Sequence, residues 1–297
     1  MEIRTDLAHE MRERAVVKAK TRGGEIDGVI YSESESGGIR TSRIEITNEN
    51  GEREMKRAKG TYVTVFFGDL LSFGAENFGA VCDAAARELR EMLGNVGTLL
   101  VCGVGNSNIT PDSVGPLAMP SVAVTHAVKK SRPDLFAKLG LHDVACVAPG
   151  VTAETGIEAA MIVKGAADAC GADAVVAIDA LCCSDISRLG RTVQLSSVGL
   201  SPGSGIGGHS EEISEATVGR RVVGIGVPTI ADASAVGETG DGGTAEGGKP
   251  DAAGLFVCPQ DIDRLAVRLA TLCAYSVNKA VNPDMTYAEM ADLLQRP

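Results

Sequence analysis

Two aspartates in this sequence each follow a short apolar run, and together they could carry out acid–base chemistry. Asp112 lies in the segment 98–116, TLLVCGVGNSNITPDSVGP, and Asp179 ends the run AVVAID at 174–179. Uncharged runs of Val, Leu, Ile and Ala are typical of strands that are buried on both faces of a parallel sheet. The carboxyl ends of such strands meet at one edge of the sheet, where α/β proteins bind ligands. We therefore expect the two carboxyl groups to lie close together.

A pair of carboxyl groups supports two kinds of chemistry that their spacing does not separate. If the pair shares one proton, one member is an acid and the other a base at the same pH, which suffices to activate water against an amide. The same pair could hold a divalent metal ion. Structural roles also stay open: Asp112 has a sequence context suited to a helix N-cap, and Asp179 could belong to a buried salt bridge.

Familiar nucleotide-binding and hydrolase motifs are present only in part. The segment 243–249 matches a phosphate-binding loop, but Pro250 replaces the hydroxyl that binds magnesium, and no strand precedes the segment. The segment 203–208 has the glycine spacing of a dinucleotide-binding loop, but it lacks the acid about 20 residues later that binds ribose. No serine-nucleophile elbow and no H-E-x-x-H pair occurs. A nucleotide-binding module is therefore a minor alternative.

Composition limits the classes of partner. The chain has 297 residues, 44% of them hydrophobic, which is enough for a substantial core and fits a single domain over 1–297. The 39 acidic residues outnumber the 28 basic ones, which argues against a nucleic-acid partner. No uncharged apolar stretch reaches about 18 residues and no signal peptide is visible, so we expect a cytoplasmic protein without membrane contact.

The order of predicted elements favours an α/β fold with a mostly parallel central sheet flanked by helices. Apolar strands alternate with helices from 61 onward, and strand–helix–strand order favours parallel crossovers. The turn-rich segment 1–60 predicts antiparallel β-hairpins added to this sheet. Thr155-Gly-Ile-Glu158 has the form of a capping box and predicts a helix start. The glycine-rich segment 237–254 is expected to be a flexible loop.

Eight sequence segments, taken in order, resemble the germination protease family, whose members degrade small acid-soluble proteins of bacterial spores. The segments are IRTDLA at 3–8, GVGN at 103–106, TPDSVGP at 110–116, PGV at 149–151, TGIE at 155–158, AIDAL at 177–181, PGSG at 202–205 and GIGVPT at 224–229. They span most of the chain, which makes the combination far more specific than any one of its motifs.

The resemblance implies an atypical aspartic peptidase, an endopeptidase whose two catalytic acids fall on Asp112 and Asp179. It implies a fold like that of the hydrogenase maturation peptidases, assembly as a homotetramer, and a location in the cytoplasm of the forespore or spore core. No cofactor is expected, although a divalent metal stays open because those peptidases bind metal. Four further residues are candidates to line the site: Asn106, Asn108, Gly203 and Ser204.

The resemblance also implies processing near the N-terminus. Members of the family are zymogens that cut themselves within the RTDLA motif, which here places the cut between Asp6 and Leu7 and makes 1–6 a short propeptide. The segment Thr5–Glu10 is similar to the substrate motif of the family, an acid followed by a large apolar residue and alanine. Exposed chain ends are also where cleavage meets the least resistance.

Overall fold

The computed structural model describes residues 4–22, 25–208, 210–233 and 254–294. The predicted loop at 237–254 lies outside these residues except for its last position. Within them, the sheet is built from nine strands: β1 (Val29–Ser36), β2 (Ile39–Ile46), β3 (Gly60–Phe66), β4 (Thr98–Gly103), β5 (Asp143–Val147), β6 (Ala174–Cys183), β7 (Thr192–Ser196), β8 (Arg221–Asp232) and β9 (Phe256–Val257).

The helices of the described residues vary from single turns to about 30 Å in length. They are α1 (Ala8–Arg22), α2 (Glu49–Met55), α3 (Ala75–Leu93), α4 (Val114–Ala118), α5 (His126–Ser131), α6 (Pro133–Leu139), α7 (Thr152–Thr155), α8 (Ala159–Cys170), α9 (Glu215–Val218), α10 (Ile262–Val281) and α11 (Tyr287–Leu294). None of them is long and apolar enough to span a lipid bilayer.

All strands belong to one mixed sheet with the order β1-β2-β3-β7-β8-β6-β4-β5, and β9 pairs with β8. Parallel pairing joins β5, β4, β6 and β8. The other five pairings are antiparallel, including the β1–β2 hairpin. The predicted α/β class, with helices around a central sheet and an added N-terminal hairpin, is confirmed. The parallel character predicted from the apolar runs holds for the centre of the sheet.

The apolar runs of β4 and β6 are buried because helices cover both faces of the sheet. Val101 and Val176 pack into the core formed with α3 and α10, whereas their neighbours Cys102 and Ala177 pack into the core under α8 and α9. Adjacent strand residues point to opposite faces, so a strand covered on both sides has to be apolar at every position. Asp179 interrupts this pattern within β6 and is only 4% exposed.

Two predictions from local sequence were wrong. The region 1–60 contains the hairpin, but it begins with α1, whose Ala8 and Ala15 are buried against the β2 strand and α2. Tertiary contacts therefore stabilise a highly charged segment as a helix. Thr155 ends α7 and does not cap a longer helix; its hydroxyl donates to carbonyl groups of its own loop, and α8 begins at Ala159.

Two glycines let α4 lie directly against the sheet and so fix the chain that follows Asp112. A Cβ atom on Gly103 would lie 2.1 Å from the carbonyl oxygen of Gly115. A Cβ atom on Gly115 would lie 2.1 Å from the carbonyl oxygen of Val104 and 2.6 Å from that of Ile178. Since these obstacles are backbone atoms, no side-chain rotation relieves them, and any larger residue has to push α4 away from β4 and β6.

Gly115→Ala is expected to lower the free energy of unfolding by about 3 kcal/mol, because the added methyl group overpacks the contact between α4 and the sheet. Gly165→Ala is the matched control: Gly165 lies in α8, where an added Cβ would meet open space, so the same change should stabilise by about 0.5–1 kcal/mol. Urea denaturation followed by circular dichroism measures both. Equal stability of the two variants would contradict the close approach.

Candidate active site

Asp179 lies at a point of β6 where a charge is difficult to accommodate. Its carboxyl group accepts a 2.8 Å hydrogen bond from the backbone N–H of Ala180, and no cation contacts it among the described residues. Burial raises the pKa of Asp179 well above its usual range, and the neighbouring charge of Asp112 raises it further. Asp179 therefore forms no salt bridge among the described residues, and its burial favours the protonated form of the carboxyl group.

Asp112 is the last residue of a one-turn 3-10 helix, Thr110–Asp112, in the loop after β4. Its Oδ2 atom accepts a 2.7 Å hydrogen bond from the backbone N–H of Asn106, six residues earlier, so it does not cap α4. The loop needs Gly105, whose φ of +119° few other residues adopt and whose Cβ would lie 2.0 Å from the carbonyl oxygen of Asp112. Burial raises the pKa of Asp112, whereas the N–H of Asn106 stabilises its charged form.

The structure brings Asp112 and Asp179 to one cavity, whose volume is about 480 Å³. Asp112 arrives from the loop after β4 and Asp179 from β6, the neighbouring parallel strand, as the two apolar runs predicted. The two side chains differ in environment, since Asp179 is nearly inaccessible and Asp112 is partly exposed. Their roles in catalysis stay a prediction, but burial raises the pKa of both carboxyl groups and raises that of Asp179 further.

The remaining predicted residues divide into two groups. Gly203 and Ser204 line the cavity, whereas Asn106 and Asn108 are absent from its lining. Asn106 reaches the acids only through its backbone N–H, and its side chain accepts from the N–H of Asn108. The amide of Asn108 donates to Glu154, 2.7 Å away. These asparagines therefore shape the loop around Asp112 and do not face the cavity.

The N-terminal segment enters the same cavity. Asp6 donates its backbone N–H to the carbonyl oxygen of Cys182, and its carboxylate accepts from the backbone N–H of Cys182 and from the hydroxyl of Ser204, at 2.8, 2.8 and 2.7 Å. Leu7 is completely buried beside Leu181. The charge of Asp6 contributes to the raised pKa of Asp179. Asp6, the residue that precedes the predicted cleavage bond, thus lines the same cavity as Asp112 and Asp179.

One residue of the site, Gln194, was missed by sequence reasoning. It lies in β7, is 8% exposed and lines the cavity, and its side chain contacts the N-terminal segment. The run TVQLS carries a signal that could have revealed it, because a lone amide at an inward position of a buried strand needs hydrogen-bond partners. Those partners come from a segment 186 residues away, which the sequence does not reveal.

The side chains of the site do not fit a metal ion. Within the described ranges there is no group of three or more His, Cys, Asp and Glu side chains that could hold one. The two aspartates would supply only two protein ligands, fewer than the three that catalytic zinc sites have. We therefore derive no chemical step through a metal.

Comparison with known proteins agrees with the motifs. The family model described as germination protease matches residues 6–241. Similar relatives include the germination proteases of Clostridium perfringens strain SM101, 31% identical over 98% of this chain and 99% of theirs, and of Caldanaerobacter subterraneus, 33% identical over 98% of both chains. That of Oceanobacillus iheyensis is 37% identical over 78% of this chain and 65% of its own.

Among solved structures, a NiFe hydrogenase maturation protease from Thermococcus kodakarensis matches 64% of this chain and 98% of its own, with a TM-score of 0.35 and 21% identity. This likeness is too distant to carry an argument about the site. The extent of the family match and the near full-length alignments to its members lead to one conclusion: the chain belongs to the germination protease family.

Proposed function

We propose that this protein is an endopeptidase that uses Asp112 and Asp179 to activate water against a peptide bond. The observation that carries the proposal is the opening of both carboxyl groups into one cavity with unequal environments. Such a difference lets one carboxyl group act as a base while the other acts as an acid at the same pH. Family membership supports peptide hydrolysis as the reaction.

In the proposed mechanism Asp179 is the acid and Asp112 the base. The ionised carboxylate of Asp112 takes a proton from water as the water oxygen bonds to the carbonyl carbon, and Asp179 gives its proton to the carbonyl oxygen. The tetrahedral intermediate then collapses: its C–N bond breaks, the proton on Asp112 passes to the leaving nitrogen, and Asp179 recovers its proton. Both side chains end in their starting states.

We propose that the substrates are small acid-soluble spore proteins, which are cut in the spore core after an acidic residue. The position of Asp6 in the lining of the cavity supports this, because the segment that contains Asp6 is similar to the substrate motif. Self-cleavage between these two residues follows as part of the proposal. Assembly as a homotetramer also belongs to it, and light scattering on the purified chain tests that assembly.

Asp112→Asn and Asp179→Asn, made separately, are each expected to lower kcat for a small acid-soluble spore protein by at least about 100-fold, because each removes a proton-transfer group. Asp173→Asn is the control: that carboxylate accepts from the N–H groups of Gly97 and Thr98 at the opposite edge of the sheet. Cleavage is followed by mass spectrometry. Wild-type turnover in both cavity variants would contradict the mechanism.

The same assay distinguishes the proposed mechanism from a metal-dependent reaction. Cleavage by the wild-type protein should be unchanged in a chelator. If chelation abolished cleavage and one divalent metal restored it, the carboxyl groups would be metal ligands and the proton-sharing mechanism would be wrong.

The pH dependence of kcat/KM is expected to be bell-shaped. Activity should fall at low pH as Asp112 becomes protonated, at a pH above the usual aspartate pKa of 3.8 because burial raises its pKa. Activity should fall again at high pH as Asp179 loses its proton, whose pKa burial and Asp112 raise much further. Stopped-time assays across the pH range measure both limbs. A profile without the upper limb would contradict the acid role of Asp179.

Asp179→Asn should increase the free energy of unfolding at pH 7 although it is expected to lower kcat. The folded protein keeps Asp179 protonated, whereas the unfolded chain releases that proton at the usual aspartate pKa, so wild-type stability falls as pH rises between these two pKa values. Asparagine has no carboxyl proton to release on unfolding, so the variant does not lose this stability as pH rises. Urea denaturation at pH 4 and pH 7 measures the difference, and a variant less stable than wild type at pH 7 would contradict the raised pKa.

A further inference from the structure

The side chain of Gln194 contacts the backbone on both sides of the bond between Asp6 and Leu7. Its Nε2 donates to the carbonyl oxygen of Asp6 at 3.0 Å, and its Oε1 accepts from the backbone N–H of Ala8 at 2.6 Å. Only this orientation of the amide satisfies both contacts, because the reversed amide would place acceptor against acceptor and donor against donor. The carbonyl contacted by Gln194 is the one that hydrolysis of this bond would attack.

Strand register explains why Gln194 faces Asp179. Asp179 of β6 is paired with Gly226 of β8, and Gly226 is paired with Gln194 of β7. Residues paired across neighbouring strands point to the same face of a sheet. The acid and the amide therefore rise from the same face on two strands that are separated by one strand, about 9–10 Å apart at the backbone.

The space over Gly226, between Asp179 and Gln194, is filled by the side chain of Leu181. A Cβ atom on Gly226 would lie 2.6 Å from Cγ of Leu181. Leu181 belongs to the same buried cluster as Leu7. The N-terminal segment therefore packs its Leu7 side chain into this cluster while its backbone contacts Gln194, and both Asp6 and Gln194 line the cavity that Asp112 and Asp179 also line.

We propose that Gln194 is a substrate-binding residue of the peptidase, which holds the attacked carbonyl group and the N–H group two residues further along the substrate. This inference rests on the proposed function and extends it to a residue outside the aspartate pair. The amide donor lies where negative charge develops on the carbonyl oxygen, so its contact strengthens in the transition state. Because both contacts are to backbone atoms, they apply to any substrate side chain.

The direct test changes the amide and keeps its size. Gln194→Met removes both contacts, and Gln194→Glu keeps an acceptor but loses the donor to the carbonyl. Each is expected to lower kcat/KM by about 100-fold for a peptide containing Thr-Asp-Leu-Ala-His-Glu, the loss typical of one removed oxyanion donor. Thr192→Val is the control, since this buried hydroxyl of the same strand has no hydrogen-bond partner among the described residues and lies outside the cavity lining.

A second substrate separates contact from general disturbance of the fold. In this peptide an ester replaces the amide between Leu and Ala, which removes the N–H that would donate to Gln194. Wild type should cleave the ester peptide about 10-fold less efficiently than the amide peptide, as expected for one lost hydrogen bond of about 1.4 kcal/mol. In Gln194→Met the two peptides should be cleaved equally well, because the contact is already absent.

The test uses the ratio of kcat/KM for the amide peptide to kcat/KM for the ester peptide, both measured with the same protein variant. Any change in access to the cavity caused by the chain's own N-terminal segment affects both peptides equally and does not change this ratio. An equal ester penalty in wild type and in Gln194→Met would overturn the inference, as would wild-type kcat/KM in both Gln194 variants. If Asp112→Asn cleaved the amide peptide normally, the proposed function itself would fail. If Asp112→Asn were inactive and Gln194→Met were unaffected, only the role of Gln194 would fail.

Discussion

The burial of the carboxyl group of Asp179 beside Asp112 is the constraint on which the rest of the site depends. A charge in this position would lose its hydration without gaining a cation among the described residues, and this burial raises the pKa of the group well above its usual range. The apolar strands and the helices on both faces of the sheet exclude the water that would otherwise stabilise the charge. The core of the protein thereby sets the chemical state of the acid.

The parallel and antiparallel halves of the sheet contribute different residues to the site. The parallel half brings the two acids together, since β4 and β6 are neighbours whose chains leave the sheet at the same edge. The antiparallel half supplies Gln194 on β7. Strand β8 pairs with both β7 and β6 and so connects Gln194 to the strand that carries Asp179. Gly226 on the intervening strand leaves space that the side chain of Leu181 fills, and the cavity is lined by residues of β6, β7 and β8.

The N-terminal segment links the chain's own sequence to this cavity. Asp6 is held through its backbone, its carbonyl group and its carboxylate, and Leu7 fills an apolar recess beside Leu181. The helix that follows, α1, packs on β2 and α2 and anchors the segment from its other side. A segment that resembles the substrate motif of the family is therefore bound as part of the fold.

The sequence by itself determined the α/β class, the two acids and the motif at the N-terminus, because apolar runs, strand–helix order and family motifs are local patterns. Only the tertiary structure shows that the two acids differ in environment, since burial raises the pKa of Asp179 through packing that no local pattern records. It also decided that Asn106 and Asn108 support the loop and that α1 is helical. Gln194 could not be predicted from the sequence for the same reason. Its hydrogen-bond partners are distant in the chain, and only strand register places it on the same face of the sheet as Asp179.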